Sequence, residues 1–444
     1  MLDQARTTEE FIPPRFTPMP DDASFWKVAR TTLSNPYQAV PASAYEKPAL
    51  LSKRGAHLSI YLGDPDLVGE VLIRQAKSFP KSKIDYRVFG PSLGQGLLSA
   101  DGEDWRWKRR LAAPTFTPAA LAKLARDMAE PFEAVAENWR RGGAQEDEVD
   151  HAMVGGALAV IERILFSKGG AGELNGPLIA NGIDELLKPM NWVILSVLLK
   201  FPDWAPFPGK LRQIRASRRI RAEVARVVQI RRAAIRSGDS VPQDLATALL
   251  KARDPETDRP LSDQDMVDMM LTLVAAGHET SAHSLSWALY CLAHQPDLQN
   301  RLAEEALALG DQPLDADAMD RLPKIEAAMK ETLRLFPVAP MMGRVAAENV
   351  RLGEHDVPAG AFVVIPIHAL HRHRLHWERP DVFDGDRFLE NPEPPRTLYM
   401  PFGGGPRICI GARLAMMEMT LGLAALCANC ASPPASAPNA TRCT

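Results

Sequence analysis

One loop narrows the folding options of this chain more than any other stretch: Pro401-Phe402-Gly403-Gly404-Gly405-Pro406-Arg407-Ile408-Cys409-Ile410-Gly411. Consecutive glycines permit backbone with φ > 0 that side chains forbid, so the chain can fold tightly beneath a flat object. A helix-forming run begins at Ala412, directly behind the single cysteine, and reaches about residue 426. At a helix start, unpaired amides and the helix dipole favour an anion. Such a setting lowers a thiol's pKa and makes a thiolate available as a metal ligand. Cys409 is therefore read as an iron ligand.

Other uses of a glycine loop fit less well. A phosphate-cradling P-loop needs Lys-Ser or Lys-Thr after the glycines, and none follows. The dinucleotide pattern needs glycine where Ile408 stands and a preceding strand. A cysteine nucleophile needs a histidine and an orienting partner, which the sequence does not place beside Cys409.

The chain has 444 residues, 24% charged and 46% apolar, which suits an ordinary soluble globular protein. A formal net charge of −3 makes no electrostatic case for nucleic acid. The first ten residues lack the apolar core of a signal peptide, and the most apolar stretches, 192–199 and 269–276, are too short to span a bilayer. A cytoplasmic, reducing location is expected. The five cysteines fit it: an odd set with none before position 291 is no disulfide framework. Cys427 and Cys430 have redox-pair spacing but no second pair, and read as incidental thiols.

Residues 1–50, rich in proline, read as an irregular arm. A strand is expected at 57–61, a helix at 65–74 and mostly loop with short helical turns over 78–98. Asp101 opens a helix on which Trp105 and Arg109 share one face. Both can donate hydrogen bonds to a carboxylate or phosphate. Helices follow over 121–167 and 179–199. Residues 211–235 predict an arginine-laden amphipathic helix with Leu211, Ile214, Val224, Val227 and Ile235 as its apolar stripe. Its arginines can touch an anionic membrane or partner, though a solvated face is the plainer reading. A short helix is expected at 244–251. A long one, capped by Ser262 with Asp265, runs to His294.

Midway along that helix lies Ala275-Ala276-Gly277-His278-Glu279-Thr280-Ser281. A threonine there can bond the carbonyl four residues back and bend the helix. The competing reading is a glycine for close helix packing plus a surface Glu-Thr pair. Residues 323–335 form another helix, with Glu331 and Arg334 three apart and able to pair. Short strands are expected at 343–346, 350–352 and 362–367. His368, His371, His373 and His376 lack a matching carboxylate or cysteine set and read as a solvated loop.

Taken together these stretches resemble the cytochrome P450 family of haem-thiolate monooxygenases, soluble bacterial type. The glycine loop around Cys409 is similar to the family's cysteine-ligand loop. Ala276-Gly277-His278-Glu279-Thr280-Ser281 looks like its oxygen-activation helix. Glu331 and Arg334, with Arg387, look like its salt-bridge triad, and Trp105 with Arg109 resembles its propionate-contacting helix. The resemblance covers residues 57 to 426.

It implies a mainly α fold with small β-sheets, one large helical domain around a buried haem b (iron protoporphyrin IX). Cys409 would be the iron ligand. Trp105, Arg109, Arg344 and Arg407 would hold the propionates, and Phe402 and Gly411 would border the cofactor. Ala276 and Gly277 would leave room for O2 and water. Thr280 and Glu279 would relay protons. Glu331, Arg334 and Arg387 would be structural. Tyr86, Phe89, Leu93, Ala275, Val338, Met341 and the 204–207 region would line a pocket for an apolar small molecule.

Electrons would come from a separate ferredoxin or flavodoxin-type donor, with Arg106, Lys108, Arg110 and Arg413 as its basic docking face. The expected organisation is an arm at 1–50, the catalytic domain at 51–427, and an atypical disordered tail at 428–444 without the family's C-terminal strands. The alternatives are a peroxygenase or isomerase using the same haem, and a non-catalytic haem protein.

Overall fold

The computed structural model describes residues 10–54, 57–142, 148–167, 174–199, 201–202 and 204–429. Its longer helices, in chain order, are α1 (Phe25–Ser34), α2 (Lys83–Leu93), α3 (Gly102–Ala112), α4 (Ala125–Gly142), α5 (Val149–Phe166), α6 (Gly176–Leu187), α7 (Met190–Leu198), α8 (Lys210–Ser237), α9 (Leu245–Lys251), α10 (Asp263–Ala293), α11 (Pro296–Leu307), α12 (Pro323–Leu335) and α13 (Ala412–Asn429). The strands are β1 (Ala49–Arg54), β2 (His57–Leu62), β3 (Met342–Val345), β4 (Val350–Leu352), β5 (His355–Val357) and β6 (Phe362–Ile365). This is the helical fold with small sheets that the sequence implied.

The central helix α10 begins with a complete capping box, Ser262 and Asp265 each bonding the other's backbone. It buries Met266, Met269, Met270, Leu271 and Val274, and packs most extensively on α5. The helix behind the cysteine loop, α13, packs on α4 with Phe132 as the wedge. A Cβ at Gly422 of α13 or Gly156 of α5 would lie 2.8 Å from the Phe132 ring. Missing side chains on two helices thus admit one ring from a third. A second core lies under the sheet, ordered β1-β2-β6-β3, where β2 and β6 run parallel and the outer pairs antiparallel.

Several expectations are corrected. The arm is not irregular throughout: Ser24 caps α1, in a stretch free of proline between residues 20 and 36. Residues 83–93 are helical, and Pro91 in the last turn removes one backbone hydrogen bond without ending the helix before Leu93. The apolar stripe on α8 holds at Val224, Val227 and Ile235 but is out of phase in the first turns. Its packed face is Gln213, Ala216, Ser217, Ile220, Val224, Val227, Val228 and Arg231, while Leu211 and Ile214 face outward. Residues 430–444, most of the expected tail, lie outside the described residues.

The histidines are not a solvated loop. His371 is fully buried, its Nδ1 on the Arg334 carbonyl at 3.1 Å, and its Nε2 accepts the Met400 N–H at 2.9 Å. Those partners require the neutral ring, and burial beside Arg334 holds its pKa down to about 3. His368, also buried, bonds the Tyr45 hydroxyl, and His373 and His376 bond the backbone of Lys47 and Gly63. Among the described residues no cluster could hold a metal through three His, Cys, Asp or Glu.

Glu331 and Arg334 of α12 are completely buried and joined by two bonds of 2.7 Å. Arg387 adds a bond of 3.1 Å to the same carboxylate, and Arg334 spends its other N–H groups on the carbonyls of His371, Pro380 and Val382. Glu331→Gln leaves Arg334 charged and undercompensated in the interior, so we expect a loss of about 3–5 kcal/mol. Urea denaturation should show it, and a loss below about 1 kcal/mol would place this pair among ordinary surface ion pairs.

Candidate active site

The cysteine loop closes on itself. Cys409 N–H donates to the Phe402 carbonyl at 2.9 Å, Ile408 N–H to Gly405 at 3.1 Å, and Gly403 N–H to Met400 at 2.9 Å. Gly405 has φ +69°, and a Cβ there would lie 2.2 Å from the Leu72 carbonyl. Only glycine lets this turn lie against residues 70–74.

Cys409 is exposed at its surface, yet protein crowds the sulfur on its remaining sides. Burial pushes its thiol up, opposed by the Gly411 N–H and by the Arg109 charge. The expected lowered thiol is thus reversed in direction, because desolvation outweighs both favourable contacts. A coordinated metal cation deprotonates a thiol outright, so the two contacts would act on a ligand thiolate.

Arg109 and Trp105 rise from α3, and desolvation lowers the Arg109 pKa while Cys409 raises it. The Arg407 guanidinium stacks 4.3 Å from the Trp105 ring, donates to the Ala100 carbonyl at 3.1 Å and pairs with Asp101, the cap of α3. Arg344 on β3 is buried and donates to the Gly343 carbonyl at 2.8 Å.

On α10 the Thr280 hydroxyl donates to the Ala276 carbonyl at 2.7 Å, the back-bond expected from sequence, and the helix continues unbroken through it. Ala276 is exposed although the turns around it supply core residues. Gly277 faces α5, where a Cβ would meet Ile161 Cδ1 at 2.4 Å. The close-packing reading therefore applies to Gly277. His278 is buried and kept neutral by desolvation, its Nδ1 on the Val274 carbonyl. Desolvation also raises the Glu279 pKa; His283 opposes this, while Asp184 and Asp150 add to it.

Sequence reasoning missed Glu418 on α13. It is fully buried, accepts the Ser281 hydroxyl at 2.8 Å, and its Oε1 has no described partner. An acid inside an otherwise apolar helical run was its only signal.

Of the residues expected to line a pocket, Leu93 is buried, and Phe89 and Ala275 pack against the main core. Val338 is partly buried, and Tyr86 lies over Gly90 of its own helix. Met341 packs on Val40, Ala44 and Tyr45, whereas Trp204 is 80% exposed. The expected basic docking face is also altered. Lys108 is buried between Asp104 and Asp265, each within 3.0 Å, and donates to the Gln95 carbonyl. Arg110 is paired with Asp254 and Glu256 and Arg106 with Glu103, leaving Arg413 exposed at the start of α13.

The donor set fits a haem: one exposed thiol on a glycine turn for the iron, and the Arg109, Arg344 and Arg407 guanidinium groups with the Trp105 indole N–H for carboxylate side chains.

Two variants test this geometry. Burial pushes Glu418 from 4.5 up to about 8. The folded state then keeps a proton that the unfolded state loses, so stability falls as pH rises across that window. Glu418→Gln should flatten the fall in urea midpoint between pH 5 and 8; an unchanged slope would show that Glu418 does not cause it. Gly277→Ala should cost about 1–3 kcal/mol, and Ile161→Val should restore much of it if Ile161 is the obstacle.

The family model described as Cytochrome P450 matches residues 28–437. Cyclooctatin synthase of Streptomyces melanosporofaciens is 34% identical over 82% of this chain and 78% of its own. Taurochenodeoxycholic 6 alpha-hydroxylase of Sus scrofa is 30% identical over 82% and 75%, and cytochrome P450 3A7 of Homo sapiens 29% over 84% and 76%. With this match along nearly the whole chain, on a helical fold carrying the cysteine loop, the chain belongs to the cytochrome P450 family of haem b monooxygenases.

Proposed function

We propose that this enzyme inserts one oxygen atom from O2 into an apolar small molecule, drawing electrons from a separate ferredoxin or flavodoxin-type protein in the cytoplasm. Haem iron held by Cys409 supplies O2 activation. Arg109, Arg344, Arg407 and Trp105 hold its propionates, and Phe402, Gly411 and Ala276 border it.

The observation that carries the O2 route is the Glu279–Thr280 pair. The Thr280 hydroxyl proton is committed to the Ala276 carbonyl, so its oxygen offers lone pairs and accepts a hydrogen bond from a water or substrate hydroxyl. Glu279, with its pKa raised by desolvation, exchanges protons closer to neutral pH than a solvated carboxylate does. The side chains of Phe89, Leu93 and Ala275 are apolar, which suits a lipophilic substrate. The exposed Arg413 is the basic group that supports an acidic electron donor.

Reconstitution with a ferredoxin system and a lipophilic library tests the reading. The reduced carbonyl complex should show a thiolate-type Soret band. Thr280→Ala should keep that band, lose about 10²-fold in product formation and release peroxide instead. Unchanged, fully coupled turnover in this variant would remove the relay. Efficient turnover with peroxide alone, indifferent to Thr280, would favour a peroxygenase.

A further inference from the structure

Helix α3 is gripped on the sides that Trp105 and Arg109 leave free. Lys108 is 1% exposed. Its ammonium pairs with Asp104 of the same helix at 2.8 Å and with Asp265 of α10 at 3.0 Å, and donates to the Gln95 carbonyl at 2.8 Å. Arg110 sends two bonds, of 3.1 and 3.0 Å, to the fully covered Asp254 carboxylate. The Arg259 guanidinium lies 4.0 Å from the Trp107 ring, whose indole N–H donates to Asp104 at 3.1 Å.

The acids and the arginine that grip α3 from outside come from residues 254–265, and that stretch is a built turn. Asp254 N–H donates to the Arg259 carbonyl at 2.9 Å, Asp258 N–H to the Asp254 carbonyl at 2.8 Å, and the Thr257 hydroxyl to the Asp254 carboxylate at 2.7 Å. The turn runs directly into the cap of α10. There Asp265 accepts the Ser262 hydroxyl at 2.6 Å through one oxygen and takes Lys108 through the other. One carboxylate thus caps the helix that carries Thr280 and holds the helix that carries Trp105 and Arg109.

We propose that Lys108, Asp265 and Arg259 are positioning residues for the haem: they clamp α3 onto the start of α10 and so hold the Trp105 indole and the Arg109 guanidinium at the propionates. The clamp rests on the reading of those two groups as propionate donors. At 11 residues α3 is too short to persist by itself. A donor whose helix must be ordered on binding holds its ligand less tightly than one fixed beforehand. The tie at Lys108 is charge-assisted and buried, so water does not replace it cheaply. The tie at Arg259 is a cation over an indole face on the surface.

Transfer of ferric haem from the full-length, loaded protein to excess apomyoglobin, followed at the Soret band, tests the clamp. Lys108→Met alone strands covered carboxylates, so it should lower the urea midpoint as well as speed haem loss. Lys108→Met with Asp265→Asn removes both charges. The midpoint should then recover most of that loss, while transfer stays about tenfold faster than in the parent. Arg259→Gln should speed transfer about threefold at parent stability. Arg109→Met reads the propionate contact directly and should lose haem at least as fast as the double variant. Transfer that returns to the parent rate along with the midpoint in the double variant would mark an ordinary stabilising network and overturn the proposal. Parent-like transfer in the double variant and in Arg259→Gln, beside fast loss from Arg109→Met, would also overturn it and leave the propionate reading standing. Parent-like transfer in all three would sink both.

Discussion

The buried Glu331 carboxylate holds together the part of the molecule on which everything else depends. Arg334 and Arg387 both bond it, and Arg334 ties α12 to three carbonyls of the following chain. His371 then carries the connection from the Arg334 carbonyl to the Met400 N–H, where the cysteine loop begins. Neither a free charge nor an unpaired imidazole could be left in that interior without a large penalty. The loop around Cys409 is thus fixed from behind by polar groups that have no better partner.

Desolvation sets the protonation of the site's ionisable groups. It raises Cys409, Glu279 and Glu418 and lowers His278, in each case as the largest cause. All four are thereby pushed toward their neutral forms, as expected of groups held between closely packed helices. Glycines set the spacing of those helices: Gly277 faces Ile161, while Gly156 and Gly422 hold Phe132. The same close packing that positions the helices therefore tunes the acids on them.

Charge is handled differently along α3 and along the start of α8. Basic residues that looked free along α3, Lys108 above all, are taken up by Asp104, Asp265, Asp254 and Glu256. On the first turns of α8, Arg212, Arg215, Arg218 and Arg219 have no ion-pair partner among the described residues, near exposed Trp204 and Leu211. Along α3 the local acids Glu103 and Asp104 take part, but Asp254, Glu256 and Asp265, distant in the chain, complete the neutralisation.

The cysteine loop, the Glu331–Arg334 spacing, the Thr280 back-bond and the bounds of α3, α8, α9, α10 and α12 were legible in the sequence. Each is a local matter, governed by turn chemistry, capping or a repeat of three or four residues. What failed was phase and partnership. Leu211 and Ile214 of the stripe assigned to α8 pointed outward, the histidines after β6 proved interior, and Glu418 passed unnoticed until Ser281 of α10 met it. Only tertiary contacts decided those, since burial and pairing depend on residues up to several hundred positions away, as between Tyr45 and His368. By itself the sequence determined the family and the glycine-cysteine loop that points to it. The tertiary structure decided which acids stay protonated and which cations are spent internally, because desolvation and counterions belong to the folded surface and not to any local stretch of chain.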